Sequence, residues 1–316
     1  MRDIPPRNSA YINELAEFIS KEYNLAVTSV TPAKRGYYGE TWCADTEDDK
    51  YFVKLDYLSR HQNKYKNSLP VVQYLCDSGI NFISKIVKTK DGELSTSFNS
   101  AVLAVFEWIN GENIETDDTK PPEYKMLSKI YLLNKQGFDI PTIEFSDDMA
   151  KICLEKWNSI KKSPKSLKRD ELLALLDGYS EKVFAWAKRL EHFSSVCAKD
   201  TSAFYITHGD AGGNLMTDGE NFAIMDWDEV MYAPLERDAW VMCCYGWAFE
   251  LFESTLRQSG IEYRLKKERL AFYIYHMFFL YLNEFLEDFE ESGDLEIIKE
   301  YFNGFIRIRL NFADLI

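Results

Sequence analysis

The feature that most constrains this chain is a pair of short polar segments in its second half, THGDAGGN at 207–214 and MDWD at 225–228. Each follows a few β-prone apolar residues, so each is expected to form a loop at the end of a strand. Together the two loops present the side-chain oxygen atoms of Asp210, Asn214 and Asp226. Carboxylate and amide oxygens are ligands that Mg²⁺ accepts, and a further carboxylate can act as a base. The pattern therefore predicts a site at which two loops bring carboxylate and amide oxygens together.

The length and composition indicate a globular protein of more than one lobe. A chain of 316 residues is long for a single core, and its hydrophobic content of 46% indicates a well-buried interior. No apolar run approaches the roughly 20 residues of a membrane span, and the first residues lack the apolar core of a secretory signal. The six cysteines are scattered, without Cys-x-x-Cys or zinc spacing. We therefore expect a cytoplasmic protein with reduced thiols and no membrane partner.

The net charge of −14 is unevenly distributed along the chain. Residues 1–200 carry 30 acidic and 28 basic side chains, whereas residues 201–316 carry 21 acidic and 9 basic ones. This excess of acidic groups argues against nucleic acid as a partner. It would attract a cationic ligand, although a solvated acidic face that keeps the protein soluble explains the same distribution.

The N-terminal part is typical of a helix over 9–23 followed by strands. The candidate strands are 25–31, 41–44 and 51–55. The first two flank a loop that contains Gly36 and Gly39, and Lys54 lies within the apolar third strand. Such a loop can bring backbone N–H groups close to phosphates, which a lysine can also bind. A plain hairpin loop, and a lysine on an edge strand with its ammonium in water, are the alternatives.

The character of the chain changes after residue 106. The apolar run AVLAVF at 101–106 is suited to a buried strand, and EWING at 107–111 follows it. Helical periodicity then dominates. The predicted helices are 123–136, 147–163, 169–196, 239–256 and 266–291. Residues 107–111 are therefore interpreted as a linker, and His276 in the last helix as a core histidine rather than a catalyst.

The order of these motifs resembles that of protein-kinase-like enzymes: glycine loop, lysine strand, linker, His-Gly-Asp loop and Asp-Trp-Asp loop. His208-Gly209-Asp210 followed by the Asp-Trp-Asp loop is similar to the aminoglycoside phosphotransferase and choline kinase family. DWDE at 226–229 and APLERD at 233–238 look most like its spectinomycin phosphotransferase branch. The resemblance covers nearly the whole chain and is most specific over 208–238.

The resemblance implies an α+β, protein-kinase-like bilobal fold. A small β-rich nucleotide-binding lobe would cover residues 1–106, and a larger helical lobe with the catalytic and substrate-binding residues would cover 107–316. The implied cofactors are Mg²⁺ and ATP (or GTP), whose γ-phosphoryl group is transferred to a hydroxyl of a small molecule. The nucleotide-binding residues implied are Gly36, Gly39, Lys54 and, through their backbone, Glu107 and Ile109.

The resemblance also assigns roles within the two loops. Asp210 would accept the hydroxyl proton or orient the attacking oxygen, and Asn214 with Asp226 would coordinate Mg²⁺. Asp228 and Glu229 would contact the substrate, or the metal through water. Structural roles are assigned to His208, Arg237 and Asp238.

One departure from the family concerns the phosphate-binding lysine. That lysine usually pairs with a glutamate on the following helix, which is predicted here at 70–77. No glutamate occurs between Lys54 and Glu93. Lys54 is therefore expected to be held by Asp226 and the nucleotide alone, unless the helix is placed differently.

A second departure concerns the catalytic loop. Asn214 follows Asp210 by four residues, whereas the family spacing is five. Gly212 and Gly213 are expected to allow a tighter path with positive φ, by which Asn214 can still reach the metal.

The first substrate expected is an aminoglycoside or aminocyclitol antibiotic, a small cationic molecule that bears hydroxyl groups, which would make this an antibiotic-resistance enzyme. One alternative is a metabolic kinase of choline, an amino alcohol or a sugar. Another is a nucleotide-binding, pseudokinase-like protein with little turnover. The sequence leaves open the accepting hydroxyl, the choice of ATP or GTP, and the oligomeric state.

Overall fold

The computed structural model describes residues 7–33, 39–200 and 204–316. The chain divides into two compact units. One comprises Met1–Thr142 with Tyr205–Tyr232, and the other comprises Ile143–Phe204 with Ala233–Ile316. The lobe boundary between residues 106 and 107 stays a prediction.

The first unit contains the main antiparallel sheet. Its strands are β1 (Ser29–Pro32), β2 (Gly39–Asp45), β3 (Lys50–Asp56), β4 (Ile86–Val87), β5 (Thr96–Phe98) and β6 (Ala101–Glu107). The strand order is β1-β2-β3-β6-β4, and β5 also pairs with β6, at residues 101–103 on the edge away from β3. The polar turn between β2 and β3 makes a hairpin, and the apolar run of β6 lies beside β3. The predicted strands are thus confirmed, apart from short shifts of their ends and the unpredicted β5.

Two helices pack against this sheet, one on each face, as the alternation of its side chains shows. The helices are α1 (Ser9–Tyr23) and α2 (Ser59–Asp77). Val53 and Leu55 of β3 belong to the core that α1 completes, whereas Ala104 of β6 packs with Tyr65 of α2. Successive strand residues face opposite sides, and Lys54 lies directly opposite Ala104 in the register. Lys54 therefore points to the side of the sheet that α2 covers.

Helix α2 begins eleven residues before the predicted start at residue 70. Its first two turns are rich in polar and basic residues, which hide the apolar period on which the prediction depended. The buried face of α2 nevertheless continues through these turns, because His61 and Tyr65 are both buried. The Asp56 carboxylate accepts a hydrogen bond from the Leu58 N–H at 2.8 Å, just before the helix begins.

The rest of the first unit holds the two polar segments. Its elements are β7 (Glu112–Asn113), α3 (Lys120–Leu132), β8 (Tyr205–Thr207), β9 (Leu215–Thr217), β10 (Phe222–Ile224) and β11 (Met231–Ala233). Strands β7, β9 and β10 form one small sheet, and β8 pairs with β11. We call residues 208–214, between β8 and β9, the catalytic loop, and residues 225–230, between β10 and β11, the metal loop, after the roles that the sequence predicts for them. Both lie at strand ends, as predicted.

The second unit is helical in its described residues. Its helices are α4 (Asp148–Lys162), α5 (Leu167–Cys197), α6 (Glu236–Ala239), α7 (Gly246–Gln258), α8 (Lys267–Ser292), α9 (Glu296–Asn303) and α10 (Phe305–Ala313). Helix α8 packs against α4, α5 and α10. Burial lowers the pKa of His276 in α8 to about 4, and its ring stacks on Phe272. It is thus a neutral core histidine, as the sequence indicates. The helix predicted over 239–256 is wrong in one respect, because turns separate α6 from α7.

A small antiparallel sheet with a separate helical unit confirms the predicted α+β fold class. Within the described ranges, no helix is both long enough and apolar enough to cross a bilayer.

Candidate active site

Lys54 is a buried cation held by two carboxylates of the metal loop. Its Nζ lies 2.8 Å from Oδ1 of Asp226 and 2.5 Å from Oδ2 of Asp228. Burial acts to lower the pKa of Lys54, but the two carboxylates outweigh it and hold that pKa above its ordinary value. Asp228 thus supplies a second anion where the family has a helix glutamate. The expectation that Asp226 and the nucleotide alone hold Lys54 is wrong, whereas the alternative, a differently placed helix, holds, because α2 begins at Ser59.

Asp226 has an unusual backbone conformation. Its φ of 58° and ψ of 70° lie in the left-handed region, which non-glycine residues seldom adopt. Burial acts to raise the pKa of Asp226, but the Lys54 ammonium dominates and keeps it below the ordinary value. The side chain still reaches solvent, with 41% exposed. Asp226 therefore offers an ionised, accessible carboxylate, held in a strained conformation of the kind found at functional sites.

Asp228 differs from Asp226 although both contact the same ammonium. Its side chain is only 9% exposed. Burial and the neighbouring charge of Asp226 raise the pKa of Asp228 to about 6, against the opposite effect of Lys54. The buried carboxylate is therefore suited to holding Lys54 rather than to meeting a ligand.

Glu229 ends the metal loop's acidic run and contacts α2. It forms an ion pair with Lys64, and its Oε1 lies 3.4 Å from Nε2 of His61. The Nδ1 atom of His61 lies 2.5 Å from the Asp56 carboxylate. Burial acts to lower the pKa of His61, but the hydrogen bonds with Asp56 and Glu229 raise it to about 9. His61 is therefore an imidazolium at neutral pH, and Glu229 is shared by two cations of α2.

His208 joins the two loops. Its Nε2–H donates to the carbonyl oxygen of Met225 at 2.7 Å, and its Nδ1 accepts from the N–H of Asp210 at 3.2 Å. Its ring also meets Trp227 edge to face at 4.6 Å. One side chain thus links the catalytic loop to the metal loop by two hydrogen bonds and a ring contact, in the structural role expected of it.

Asn214 is hydrogen-bonded to Asp210 across the short catalytic loop. Its Nδ2 donates to the Asp210 carbonyl at 2.8 Å and to the Asp210 Oδ2 at 3.1 Å. With its nitrogen directed to Asp210, the amide leaves its oxygen for another partner. The four-residue spacing therefore brings the two side chains together.

The two glycines of the catalytic loop permit close contacts, not unusual backbone angles. Positive φ occurs at Gly209 but at neither Gly212 nor Gly213, so that expectation is wrong. A Cβ at Gly213 would lie 3.2 Å from Oδ1 of Asp210, and one at Gly212 would lie 3.0 Å from Nζ of Lys120. A side chain at either position would therefore force Lys120 or Asp210 to shift by a few tenths of an ångström.

Lys120 of α3 is buried beneath this loop. Its Nζ lies 2.9 Å from the buried carboxylate of Glu123 and 3.3 Å from the more exposed carboxylate of Glu115. A buried ammonium needs such partners, because an isolated charge is costly to remove from water. The catalytic loop therefore lies against a buried ion pair.

Asp210 has a shifted pKa. Its side chain is solvent-accessible, yet protein atoms crowd around it. The resulting desolvation, together with the charge of Asp226, raises the pKa of Asp210 to about 6, while the hydrogen bond from Asn214 acts in the opposite direction. The group is mostly ionised at neutral pH but far more basic than an ordinary aspartate.

The predicted nucleotide-binding residues are only partly visible. Gly36 falls outside the described residues. A Cβ at Gly39 would lie 2.0 Å from the carbonyl oxygen of Leu55, so close strand contact alone requires glycine there. The N–H of Glu107 donates to the carbonyl oxygen of Lys85 at 2.8 Å. The carbonyl oxygen of Glu107 accepts a hydrogen bond from the Ser84 hydroxyl at 2.5 Å.

Sequence reasoning missed several charged residues around the site. They are Asp56, His61, Lys64, Lys120 and Glu123. The signal available was weak: polar residues placed on the buried faces of α2 and α3. Arg237 and Asp238 lie within α6 of the second unit. The structural role predicted for them stays a prediction.

Solved structures of similar fold have low sequence identity to this chain. Spectinomycin phosphotransferase with ADP and spectinomycin gives a TM-score of 0.77 at 19% identity, covering 95% of this chain and 98% of its own. Amicoumacin kinase with AMP-PNP, Ca²⁺ and Ami gives 0.66 at 13%, covering 96% and 93%. Choline kinase LicA from Streptococcus pneumoniae gives 0.59 at 13%, covering 98% and 100%. These similarities confirm the fold. A search of curated protein sequences gave no match.

The sequence model of the phosphotransferase enzyme family matches residues 29–273. This range contains Lys54 and both loops. The match confirms the resemblance inferred from the motifs, and with it the predicted enzyme class, a phosphotransferase. Because the matched range covers most of the chain, the protein belongs to the phosphotransferase enzyme family.

Proposed function

We propose that this enzyme transfers the γ-phosphoryl group of ATP (or GTP) to a hydroxyl of a small amine-bearing molecule, with an aminoglycoside or aminocyclitol antibiotic as the first candidate. One observation carries the proposal. Lys54 of β3 pairs with Asp226 of the metal loop, and His208 connects that loop to Asp210. A phosphate-binding cation, a metal-binding carboxylate and a base are the groups that phosphoryl transfer requires.

The oxygen donors fit Mg²⁺. Asp226 offers an accessible carboxylate, and the amide of Asn214 has its oxygen available, because its nitrogen donates to Asp210. In the described ranges, no cluster of three or more His, Cys, Asp or Glu side chains is placed to hold a metal alone. This suits an ion that keeps water and phosphate oxygens among its ligands. Bound there, Mg²⁺ would neutralise charge on the phosphates.

The nucleotide would lie along Lys54 and the glycine loop. The ammonium of Lys54 would pair with phosphate oxygens, and the backbone of Gly36 and Gly39 would approach them closely. For the adenine we propose the backbone of Ile109 and the carbonyl oxygen of Glu107, which can accept a second hydrogen bond beside the one from Ser84. The N–H of Ile109 has no hydrogen-bond partner in the part of the chain that the structure describes, which leaves a donor for the ring.

Asp210 would act on the acceptor. With a pKa raised to about 6, it is ionised at neutral pH and basic enough to accept a hydroxyl proton as the phosphoryl group leaves the nucleotide. Its hydrogen bonds with Asn214 and His208 fix its position, which favours a reactive geometry. Asp228 and Glu229 would then act through Lys54 and α2, and contact of either with the substrate is the less favoured role.

Charge supports a cationic acceptor. Residues 201–316 carry 21 acidic against 9 basic side chains. Some of these carboxylates are already engaged, as Glu290 is by Lys156 at 2.9 Å, while the excess remains as a negative potential that would concentrate a cation. The names of the structural neighbours, among them spectinomycin phosphotransferase, choline kinase and aminopropanol kinase, support an amine-bearing acceptor. Resistance to an antibiotic would follow if one is phosphorylated.

The reducing cytoplasm is the proposed compartment. All six cysteines are free thiols, and most are buried. Thiols of this kind persist where disulfides do not form.

The test is a nucleotide-consumption assay with Mg²⁺ against spectinomycin, aminoglycosides, choline, amino alcohols and neutral sugars, with Asp210→Asn as background control. We expect amine-bearing alcohols to be phosphorylated. The rate at low substrate concentration should fall as salt rises to physiological strength, where screening shortens to about 8 Å. Turnover of neutral sugars alone, without salt dependence, would contradict the cationic acceptor. Absence of turnover with every acceptor, despite Mg²⁺-nucleotide binding, would favour the pseudokinase-like alternative.

A further inference from the structure

Helix α2 lacks the acidic residue that its position in this family implies. Between Ser59 and Asp77 it contains no carboxylate except Asp77 at its end. Its first two turns carry Arg60, His61 and Lys64 instead. The helix thus carries basic side chains where the family has the glutamate that pairs with the phosphate-binding lysine.

The positive charge of α2 meets the metal loop. His61 and Lys64 are three residues apart, which places them on one face of the helix. Both contact the carboxylate of Glu229, Lys64 in a direct ion pair and His61 with Nε2 at 3.4 Å from Oε1. The side chains are 7% exposed for His61 and 27% for Lys64, so water screens these contacts only in part.

The same loop also binds β3. Asp226 and Asp228 hold Lys54 at 2.8 and 2.5 Å, and Glu229 is the next residue along. His61 contacts Glu229 through Nε2 and the Asp56 carboxylate through Nδ1. Asp56 ends β3 and is buried. The acidic run of the metal loop therefore joins a strand and a helix through two sets of ion pairs.

We propose that Glu229 is a positioning residue, whose contacts with Lys64 and His61 of α2 hold the metal loop so that Asp226 presents its carboxylate to the metal and phosphates. The inference depends on the proposed function. In this contact the helix supplies the cations, and the metal loop supplies the anion. Asp226 adopts a strained conformation, which persists only where its surroundings enforce it. Glu229 is part of those surroundings.

A double-mutant cycle tests the contact. The variants are Glu229→Gln, Lys64→Met and the two combined, which remove charge while keeping side-chain size. Each single variant should weaken Mg²⁺-dependent ADP binding and lower kcat/KM for the nucleotide by about 10-fold or more, the usual effect of disturbing a group that orients a metal ligand. Because both changes break one interaction, the double variant should lose little more than either single one.

Lys66→Met is the matched control. Lys66 lies on the same helix, two residues on, but is exposed. It should leave ADP affinity and turnover unchanged. Thermal unfolding of each variant separates a positioning effect from loss of the fold, since a variant that melts like the wild type yet binds poorly is mispositioned. A variant that loses the fold is replaced by Glu229→Asp, which keeps the charge on a shorter side chain and should restore part of the affinity lost in Glu229→Gln.

The outcomes separate the two hypotheses. Wild-type Mg²⁺-ADP binding with unaffected or strictly additive variants would overturn the role of Glu229 and leave the proposed function intact. If the wild type binds no Mg²⁺-nucleotide at all, both are wrong. Binding without turnover, combined with a coupled cycle, would keep the positioning role and reject the kinase activity.

Discussion

The catalytic loop and the metal loop are built by different means. In the catalytic loop, Asn214 bonds to Asp210, and Gly212 and Gly213 permit close packing. In the metal loop, carboxylates pair with cations, as Asp226 does with Lys54. The first is therefore shaped by space and hydrogen bonds, and the second by charge. Added volume should damage the first most, whereas charge removal should damage the second.

The two loops also share one device. A helix brings a cation to each, Lys120 of α3 beneath Gly212 and Lys64 of α2 beside Glu229. At Gly212 the cation is already neutralised by Glu123, so it acts as a packing surface. At Glu229 it meets a loop carboxylate directly. Only the second arrangement couples a helix to the loop by charge, and this distinction can be tested.

The largest effect is expected for Asp226→Ala, which removes the charged centre of the metal loop. Mg²⁺-dependent nucleotide binding should be lost, because the carboxylate both pairs with Lys54 and would hold the metal. Calorimetry with ADP, with and without Mg²⁺, measures this. Glu220→Ala, at an exposed turn between β9 and β10, is the control and should bind normally. Wild-type affinity in Asp226→Ala would contradict the charge-based account of the metal loop.

Asp210→Asn should separate the loops by their kinetics. It preserves shape and removes the base, so turnover should fall by about 100-fold or more while nucleotide affinity stays near that of the wild type. Steady-state kinetics together with ADP titration give both quantities. If turnover is unchanged, Asp210 has no part in the mechanism. If affinity falls as far as in Asp226→Ala, the two loops are not separable.

Gly213→Ala should show the sensitivity of the catalytic loop to volume. The added methyl would lie 3.2 Å from Oδ1 of Asp210, so the carboxylate must shift by a few tenths of an ångström. A displaced base should lower turnover by about 10-fold without changing nucleotide affinity. Gly178→Ala in α5 is the control, because its Cβ would meet nothing within 4 Å. Full activity in Gly213→Ala would mean that the loop has room to spare.

The sequence predicts the members of the site better than their partners. The order of motifs selects Lys54, Asp210 and Asp226 as candidates, and the structure brings Lys54 and Asp226 together although they are 172 positions apart in the chain. The motifs do not select Asp228 as the second partner of Lys54. A carboxylate two residues after Asp226 has the same sequence pattern whether it faces solvent or a buried lysine. Such choices depend on burial, which a local pattern does not reveal.

Helix α2 shows a further reason for error. Apolar periodicity begins late in this helix because the buried position of its first turn is filled by His61, which is polar but paired with Asp56. A buried polar residue with a partner resembles a surface residue in the sequence. The prediction for Gly212 and Gly213 is wrong for a similar reason: positive φ is a local property, whereas their close contacts with Lys120 and Asp210 depend on the tertiary structure.

The smallest predicted effect concerns stability, and it sharpens the comparison because only the catalytic loop contains an exposed carboxylate with a raised pKa. The pKa of Asp210 is raised to about 6, so the folded protein binds this proton more tightly than the unfolded chain does. The stability that Asp210 contributes is present at pH below about 4 and is lost as the pH rises through 6. Ligand-free Asp210→Asn should therefore melt about 1–2 °C above the wild type at pH 7.5, a small difference because solvent screens the carboxylate, and should lose that advantage near pH 4. Thermal unfolding across this pH range, with Glu220→Gln as an exposed control, measures the difference. If the melting temperature of Asp210→Asn exceeds that of the wild type equally at every pH, the stabilisation comes from packing. That result would contradict a raised pKa of Asp210.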